Sequence, residues 1–437
     1  MKSPARVDEE SDVAKLHQAL VDKLTRGQPG APGGLIRTPR VEAAFRAVPR
    51  HLFLPDVAPE QVYRDEAIST KQQDGVSISA SSQPAIMAIM LEQLGLEPGQ
   101  CVLEIGAGTG YNAALMAHIV GDAGQVVTID IDDDIVENAR AHLSAAGFGQ
   151  VQVVCADGAL GYPEAAPYDR IILTVGASDI APAWWEQLKP GGRLVLPLAI
   201  HGMQASVAFE NAGGYLQSLS LSPCGFMMLR GSFAAPQTIV RLGPEPGLSL
   251  TVDNPDAVDA AAVYGWLTGP RREQPASVRI TYRELWEGLF LWLPAREPQY
   301  CVLSAEGEPA KRGVVPWLYG WPGKSCLTNG VVGPEGLAVL MVPPELAPPT
   351  ELPDPLPPPP AEPPPEPSPF DLMIVGFGPD ERSVQRLIAH ITAWDAAGRP
   401  GLDSLRLRAY PRNSPYKPAA YETAVQKTWT RLVLSWT

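Results

Sequence analysis

Between residues 98 and 198 short apolar runs alternate with helix-like segments, and this alternation restricts the fold more than any other feature of the chain. The runs CVLEI (101–105), QVVTID (125–130), VQVVCAD (151–157), RIILTV (170–175) and RLVLPL (193–198) are separated by YNAALMAHIV, DDIVENARAHLSAAG and APAWWEQL. Continuous Val/Ile/Leu runs belong to strands buried on both faces, and strand–helix alternation implies a parallel sheet with right-handed crossovers. The expectation is a doubly wound α/β domain. Ahead of it, Val13, Leu16, Leu20, Val21 and Leu24 recur at helical spacing and predict a helix over 10–26.

A chain of 437 residues exceeds one ordinary core, so two or three domains are expected. After about residue 232 the alternation stops, turns become rich in Pro and Gly, and eight of the ten tryptophans follow. The boundaries read as 1–232 for the α/β domain, 233–342 for a Trp-rich accessory region, 343–369 for a proline-rich linker and 370–437 for a C-terminal α+β module. So much proline cannot build a helix or sheet interior and favours an extended polyproline II spacer. Whether 370–437 stands alone or completes one accessory domain with 233–342 is left open by the sequence. Its pattern is a strand, a helix and two further strand-like runs.

A formal net charge of −14 argues against binding a phosphate backbone, which needs clustered Lys and Arg. No apolar run reaches the roughly 18 residues of a membrane span, and the polar opening MKSPARVDEESDVAK lacks the apolar core of a secretion signal. Neither a nucleic acid nor a membrane is therefore an expected partner, and a cytoplasmic location is expected. Cys101, Cys155, Cys224, Cys301 and Cys326 are scattered without a C-x-x-C pair, which reads as reduced, buried thiols. The histidines show no metal-ligand spacing, so no metal site is expected.

The first apolar run ends in a glycine turn. Gly106, Gly108 and Gly110 alternate, whereas a dinucleotide fingerprint needs its third glycine where Tyr111 stands, and no Gly-Lys-Ser/Thr phosphate loop exists. What remains is a tight turn, Gly106-Ala107-Gly108, that lets backbone approach a ligand at a strand's carboxyl end. Glu104 beside it would repel a pyrophosphate but suits an ammonium or sulfonium. Asp130, followed by Ile131, ends the second strand where a carboxylate can take both ribose hydroxyls. Asp157 and Gly158 end the third strand on the adenine side. In this order the set describes a site for S-adenosyl-L-methionine.

Further motifs extend the pattern: VPRHLFLP (48–55), SSQPAIMAIMLEQL (81–94), VLEIGAGTGYNAA (102–114), Asp157-Gly158 and QLKPGGRLVLPL (187–198). In these motifs and their order the chain resembles the protein-L-isoaspartate O-methyltransferase family over about residues 10–232. The resemblance implies a seven-stranded Rossmann-like class I methyltransferase domain carrying C-terminal accessory structure. It further implies S-adenosylmethionine-dependent methyl esterification of an aspartyl or isoaspartyl carboxylate in a protein or peptide. The family's serine two positions before the proline lies between cofactor and substrate carboxylate, and it maps onto Ser82, with Ser81 also bordering the cofactor. Ser82 is equally suited to cap the helix that Pro84 opens. Ser79 joins the substrate side. His51 and Arg50 are placed to steer the substrate carboxylate, or Arg50 to tie down the N-terminal segment. A carboxylate, ionised at neutral pH, needs no general base to attack a sulfonium methyl group, so a catalytic triad is not expected.

Two departures bear on the substrate. The family commonly has a threonine where this chain has Ala80, and some two hundred residues are appended. That arrangement resembles actinobacterial relatives that esterify an aspartate of a cyclised ribosomal peptide, whose ester then closes to an aspartimide. In that reading Arg406, Arg408, Arg412, Lys417, Lys427 and Arg431 would bind an acidic leader peptide, or else form a solvated strand face. General isoaspartyl repair is the alternative. A small-molecule methyltransferase and a non-catalytic cofactor-binding scaffold are the remaining readings.

Overall fold

The computed structural model describes residues 4–26, 33–73, 76–200, 203–234, 238–321, 323–347 and 368–437. The proline spacer falls mostly on 348–367, outside the described residues, as does His201. The N-terminal helix runs Pro4–Arg26 and buries Leu20, Val21 and Leu24. A hairpin follows, β1 (Ile68–Gln73) and β2 (Val76–Ser81), then the parallel strands β3 (Cys101–Ile105), β4 (Gln125–Asp130), β5 (Gln152–Cys155), β6 (Tyr168–Leu173) and β7 (Leu188–Ile200). Antiparallel β8 (Met203–Asn211) and β9 (Leu216–Pro223) continue from β7.

Seven of the strands in the main sheet are β3–β9, as expected for the class I methyltransferase fold, with the parallel order β5-β4-β3-β6-β7. Helices flank the sheet. Pro84–Leu94 opens on proline and closes on Gly95 in the left-handed conformation (φ 59°), a pairing that fixes both of its ends. Tyr111–Val120 begins at Gly110 (φ 86°) and is buried along nearly its whole length. That burial explains its lack of a polar face in the sequence.

The accessory sheet contains β10 (Ile239–Arg241), β11 (Leu248–Val252), β12 (Arg272–Ile280), β13 (Tyr300–Glu306), β14 (Tyr319–Trp321), β15 (Ser325–Gly333), β16 (Gly336–Met341) and β17 (Phe370–Phe377). Its order is β10-β11-β13-β15-β16-β17-β12, with β14 paired to β15. The helix Arg382–Ala396 packs Leu387, Ile391 and Trp394 into the same core as Leu340 and Ile374.

The sequence boundary at 370 therefore does not coincide with a structural one. β17 pairs with β16 and β12 in the accessory sheet, whereas β18 (Leu405–Pro411), β19 (Thr423–Gln426) and β20 (Thr430–Trp436) extend the catalytic sheet in the order β19-β20-β18-β9. Three strands, not two, close this segment. Their apolar residues Leu405, Leu407, Leu432 and Leu434 share one core with Phe209 and Leu216 of β8 and β9. Cys301 and Cys326 are buried free thiols as expected, but Cys155 is exposed because its strand lies at the sheet edge.

Because these strands complete a shared core, a cavity there should destabilise the catalytic sheet itself. Leu434, fully buried, replaced by alanine should lower unfolding free energy by about 2–5 kcal/mol, read from a urea transition.

Candidate active site

The carboxyl ends of β3 and β4 open into a cleft of about 830 Å³ including its mouth, and Ser79, Ser81, Ser82, Glu104, Gly106, Ala107, Gly108, Asp130, Ile131 and Gly158 all line it. The glycine turn adopts positive φ at Gly106 (104°) and Gly108 (51°). A Cβ on Gly106 would stand 2.7 Å from Thr174 Oγ1, so only glycine keeps this turn against β6. Gly108 N–H donates to Asp130 Oδ2 at 3.2 Å, and Ile131 N–H donates to Asp130 Oδ1 at 2.9 Å. Burial raises the Asp130 carboxyl above its ordinary value, against those backbone hydrogen bonds.

Glu104 is fully buried. Its Oε1 accepts from Asn112 Nδ2 at 2.8 Å and its Oε2 from Thr128 Oγ1 at 2.7 Å. It forms the floor of the cleft with each oxygen already engaged, a less direct position than the sequence suggests. Burial pushes its carboxyl up to about 7, although both hydrogen bonds favour the ionised form. Asn112 Oδ1, beside it in the cleft wall, is buried without a hydrogen-bond partner. An unfilled acceptor next to a carboxylate is what an ammonium-bearing ligand requires, so the residues present fit the amino-acid end of S-adenosylmethionine.

Several expected residues lie elsewhere. Gly110 is outside the cleft, and a Cβ there would meet Leu143 Cγ at 3.0 Å, so this glycine lets two helices pack. Asp157 is not in the lining either. Its Oδ1 accepts from Ala159 N–H at 3.0 Å and its Oδ2 from Ser232 N–H at 2.7 Å. Burial would raise this carboxyl, but the Ser232 and Ala159 donors outweigh it and hold it below its ordinary value. Asp157 thus anchors the chain at 232, and only Gly158 faces the ligand space.

Arg50 is not among the residues that line the cleft. It is fully buried and donates to the carbonyls of Val62 (2.7 Å), Arg64 (3.3 Å), Glu66 (3.2 Å) and Ser82 (3.0 Å), and to Ser81 Oγ (3.3 Å). The tie-down reading holds. His51 is likewise outside the lining, with Nδ1 2.6 Å from the Tyr63 hydroxyl.

Ser82 is not a helix cap. The N-cap position is Gln83, and the free Ala85 N–H is taken by Asp65 Oδ1 at 2.9 Å. Among the described residues the Ser82 hydroxyl has no partner, and it lines the cleft. Ser79 is largely buried and accepts from Thr70 Oγ1 at 3.2 Å. Ala80, which replaces the expected hydroxyl, also lines the cleft.

Sequence reasoning missed one wall. Met227, Met228, Leu229 and Arg230 also line the cleft, on the side away from the β1–β2 hairpin. Gly176 fixes them through its N–H to Met227 O (2.8 Å) and its carbonyl from Leu229 N–H (2.7 Å). Arg230 donates to Asp132 Oδ2 at 2.8 Å, and Lys71 of the β1–β2 hairpin reaches the same oxygen at 2.9 Å. One carboxylate thus fastens both flanks of the cleft. No periodicity marks the segment CGFMMLRGS, because its order comes from contacts far along the chain.

Two outcomes follow. Glu104 in the folded protein keeps its proton to about pH 7, whereas an unfolded glutamate loses it near the usual 4.5. The folded state then holds more protons between those values, so wild-type stability falls as pH rises from 4.5 to 7. The melting temperature of Glu104→Gln measured against wild type at pH 5 and pH 7.5 should show the variant gaining relative stability at the higher pH. Second, Asp132→Asn should release a bound cofactor several-fold faster in stopped-flow displacement by weakening both clamps, with the difference shrinking at high salt.

Among known proteins, the family model described as protein-L-isoaspartate(D-aspartate) O-methyltransferase matches residues 16–232. A protein-L-isoaspartate O-methyltransferase of Hyperthermus butylicus is 40% identical over 223 residues, covering 49% of this chain and 88% of that protein. Protein-L-isoaspartate O-methyltransferase 2 of Archaeoglobus fulgidus is 39% identical over 194 residues, covering 44% of this chain and 86% of its own length. A solved protein-L-isoaspartate O-methyltransferase aligns with 91% of this chain and 96% of its own at 23% identity, with a TM-score of 0.46. On these matches the chain belongs to the protein-L-isoaspartate O-methyltransferase family.

Proposed function

We propose that the protein transfers a methyl group from S-adenosylmethionine to the free α-carboxylate of an isoaspartyl residue in a protein or peptide. The observation that carries this reading is the unpartnered Ser82 hydroxyl in one cleft with the glycine turn and Asp130. When bound, the cofactor supplies an electrophilic methyl on a sulfonium. Asp130 would hold the ribose hydroxyls, and Gly158 would offer a flat face to the adenine. Asn112 Oδ1 and the Glu104 floor would receive the ammonium. Ser82 would donate its hydroxyl to one oxygen of the incoming carboxylate and so orient the other. Ser81 and Ser79 shape the wall beside it, and the Met227–Arg230 wall excludes water from the ionised nucleophile. The chain's own contribution is alignment, with no proton to move.

A second reading, esterification of an ordinary aspartate in a cyclised ribosomal peptide followed by aspartimide closure, is favoured by Ala80, which removes a hydroxyl from the wall next to Ser82. Its leader-peptide component draws little support from the tail. Arg408 pairs with Glu422, and Lys427 Nζ donates to Ala199 O at 3.0 Å. Arg412 bonds the carbonyls of Lys427 and Thr428, while Arg431 bonds Tyr416 O at 2.8 Å. Arg406 donates to the carbonyls of Asp403 and Leu405, so five of these six side chains are engaged within the fold.

Mass spectrometry after incubation with an isoaspartyl peptide, its aspartyl twin and a cyclised precursor decides between the two readings. Methyl ester on the isoaspartyl peptide alone is the expected result; ester on the cyclised precursor followed by loss of methanol would install the second reading. Ser82→Ala should lower kcat/KM roughly tenfold, the loss of about one hydrogen bond to a charged group.

A further inference from the structure

A second cavity, of about 850 Å³ including its mouth, adjoins the cleft and shares Ser79, Gly108, Thr109 and Ile135 with it. Three elements enclose the rest: the 53–57 stretch, Ser69, Thr70 and Lys71 of the β1–β2 hairpin, and the helix Asp133–Ala145. These walls are tied to one another. Lys71 Nζ donates to Asp134 Oδ1 at 2.7 Å, which joins hairpin to helix. The Phe53 ring meets the His142 ring edge-on with centres 6.4 Å apart, which joins the 53–57 stretch to the same helix.

Phe53, Leu54, Pro55, Val57 and Ile135 give the cavity an apolar side. The polar side is rich in acceptors. His142 Nδ1 lies 3.1 Å from the Thr109 carbonyl oxygen, which only accepts, so Nδ1 carries the proton and Nε2 of the neutral ring is left as an acceptor. That nitrogen, the Asp56 carboxylate, the Asn138 amide and the Thr109 hydroxyl form no hydrogen bond among the described residues. The one lysine in the lining is already spent, since Lys71 is held by Asp132 at 2.9 Å and by Asp134. Arg230 pairs with Asp132 in turn, so these two acids and two bases cancel. The charge left over at the cavity is the negative charge of Asp56.

We infer that this cavity is a substrate subsite that receives a cationic side chain, lysine or arginine, from the peptide being methylated. An aliphatic stem suits the apolar side, and an ammonium or guanidinium suits the acceptors. An anion would instead meet Asp56 with no free cation to offset it. The shared lining sets the spacing. Ser79 opens onto both spaces and Ser82 follows it by three residues, about 10 Å of extended chain. A substrate strand rises by the same amount per residue, which puts the basic residue roughly two to three positions from the one that is methylated. Calling the ligand a methylation substrate rests on the function proposed above; the cavity's preference for a cation does not.

Steady-state methylation of short isoaspartyl peptides in an alanine background, at about 0.15 M salt, tests the subsite. Arginine, glutamine or glutamate is placed singly at each flanking position. Arginine at one or two adjacent positions should raise kcat/KM about five- to tenfold over glutamine, through KM rather than kcat, and glutamate should lower it. Asp56→Asn should erase the difference between arginine and glutamine; should that variant melt below wild type, Asn138→Ala decides by the same ratio. The subsite is overturned if no position favours arginine, or if the preference survives in the variant. An equal gain at every position also overturns it, because a chain of net charge −14 produces that by long-range attraction alone. Calorimetric titration of the arginine and glutamine peptides into the full chain, with S-adenosylhomocysteine present, reads the preference without turnover. If no isoaspartyl peptide is methylated, the proposed function falls. Tighter binding of the arginine peptide to wild type but not to Asp56→Asn would then keep the subsite, and equal or absent binding would remove it too.

Discussion

The catalytic half is organised around a buried positive charge that forms no ion pair among the described residues. Arg50 lies under the cleft with its guanidinium spread over the carbonyls of Val62, Arg64, Glu66 and Ser82. A charge in that position is tolerable only because carbonyl dipoles surround it, each contributing a charge-assisted hydrogen bond. The same bonds draw residues 62–66 and Ser82 to one point, so the end of the short helix Pro59–Val62 is tied to the end of β2. Ser82 inherits its position from this tie. Burial lowers the Arg50 guanidinium below its ordinary value, opposed by Tyr111, Asp65 and Tyr63, yet it stays charged throughout the physiological range.

Around that point the cleft is closed by segments remote in sequence. The β1–β2 hairpin stands on one side and the 227–230 wall on the other, and both meet Asp132 two residues beyond the ribose-side Asp130. Asp132 is held below the ordinary carboxylate range chiefly by Arg230, with Lys71 adding to it. The stretch that would order a ligand's ribose is thus continuous with the stretch that fastens that wall. Asp157 does the same at the far end through Ser232. Two of the three acids that make the sequence look like a nucleoside site therefore divide their work: one faces the ligand space and one anchors the wall.

The parallel strands and the glycine turn were legible because local pattern dictates them. Apolar runs buried on both faces have few other folds available, and Gly106 occupies a turn that no larger residue fits. Ser82 was legible only through resemblance, since nothing local tells a cap from a ligand-facing hydroxyl. The sequence left Arg50 between two roles, and those of Asp157 and the 227–230 segment were hidden because their partners lie 75 and 98 residues away. The accessory boundary was misplaced for a similar reason. β17 and β18 are neighbours in sequence but join different sheets, and alternation along a strand does not reveal which sheet receives it.

That split has a consequence for synthesis. When a ribosome has delivered residues 1–232, the catalytic sheet has its cofactor strands but β9 still presents an open edge, and Phe209 and Leu216 lack part of their cover. Edge strands in that state are templates for pairing with other chains. At ordinary elongation rates of about 5–20 residues per second, the strands that close the edge arrive on the order of ten seconds later, after the whole accessory sheet has been made. Through that interval the β9 edge stays open, and it closes only when β18 pairs with it.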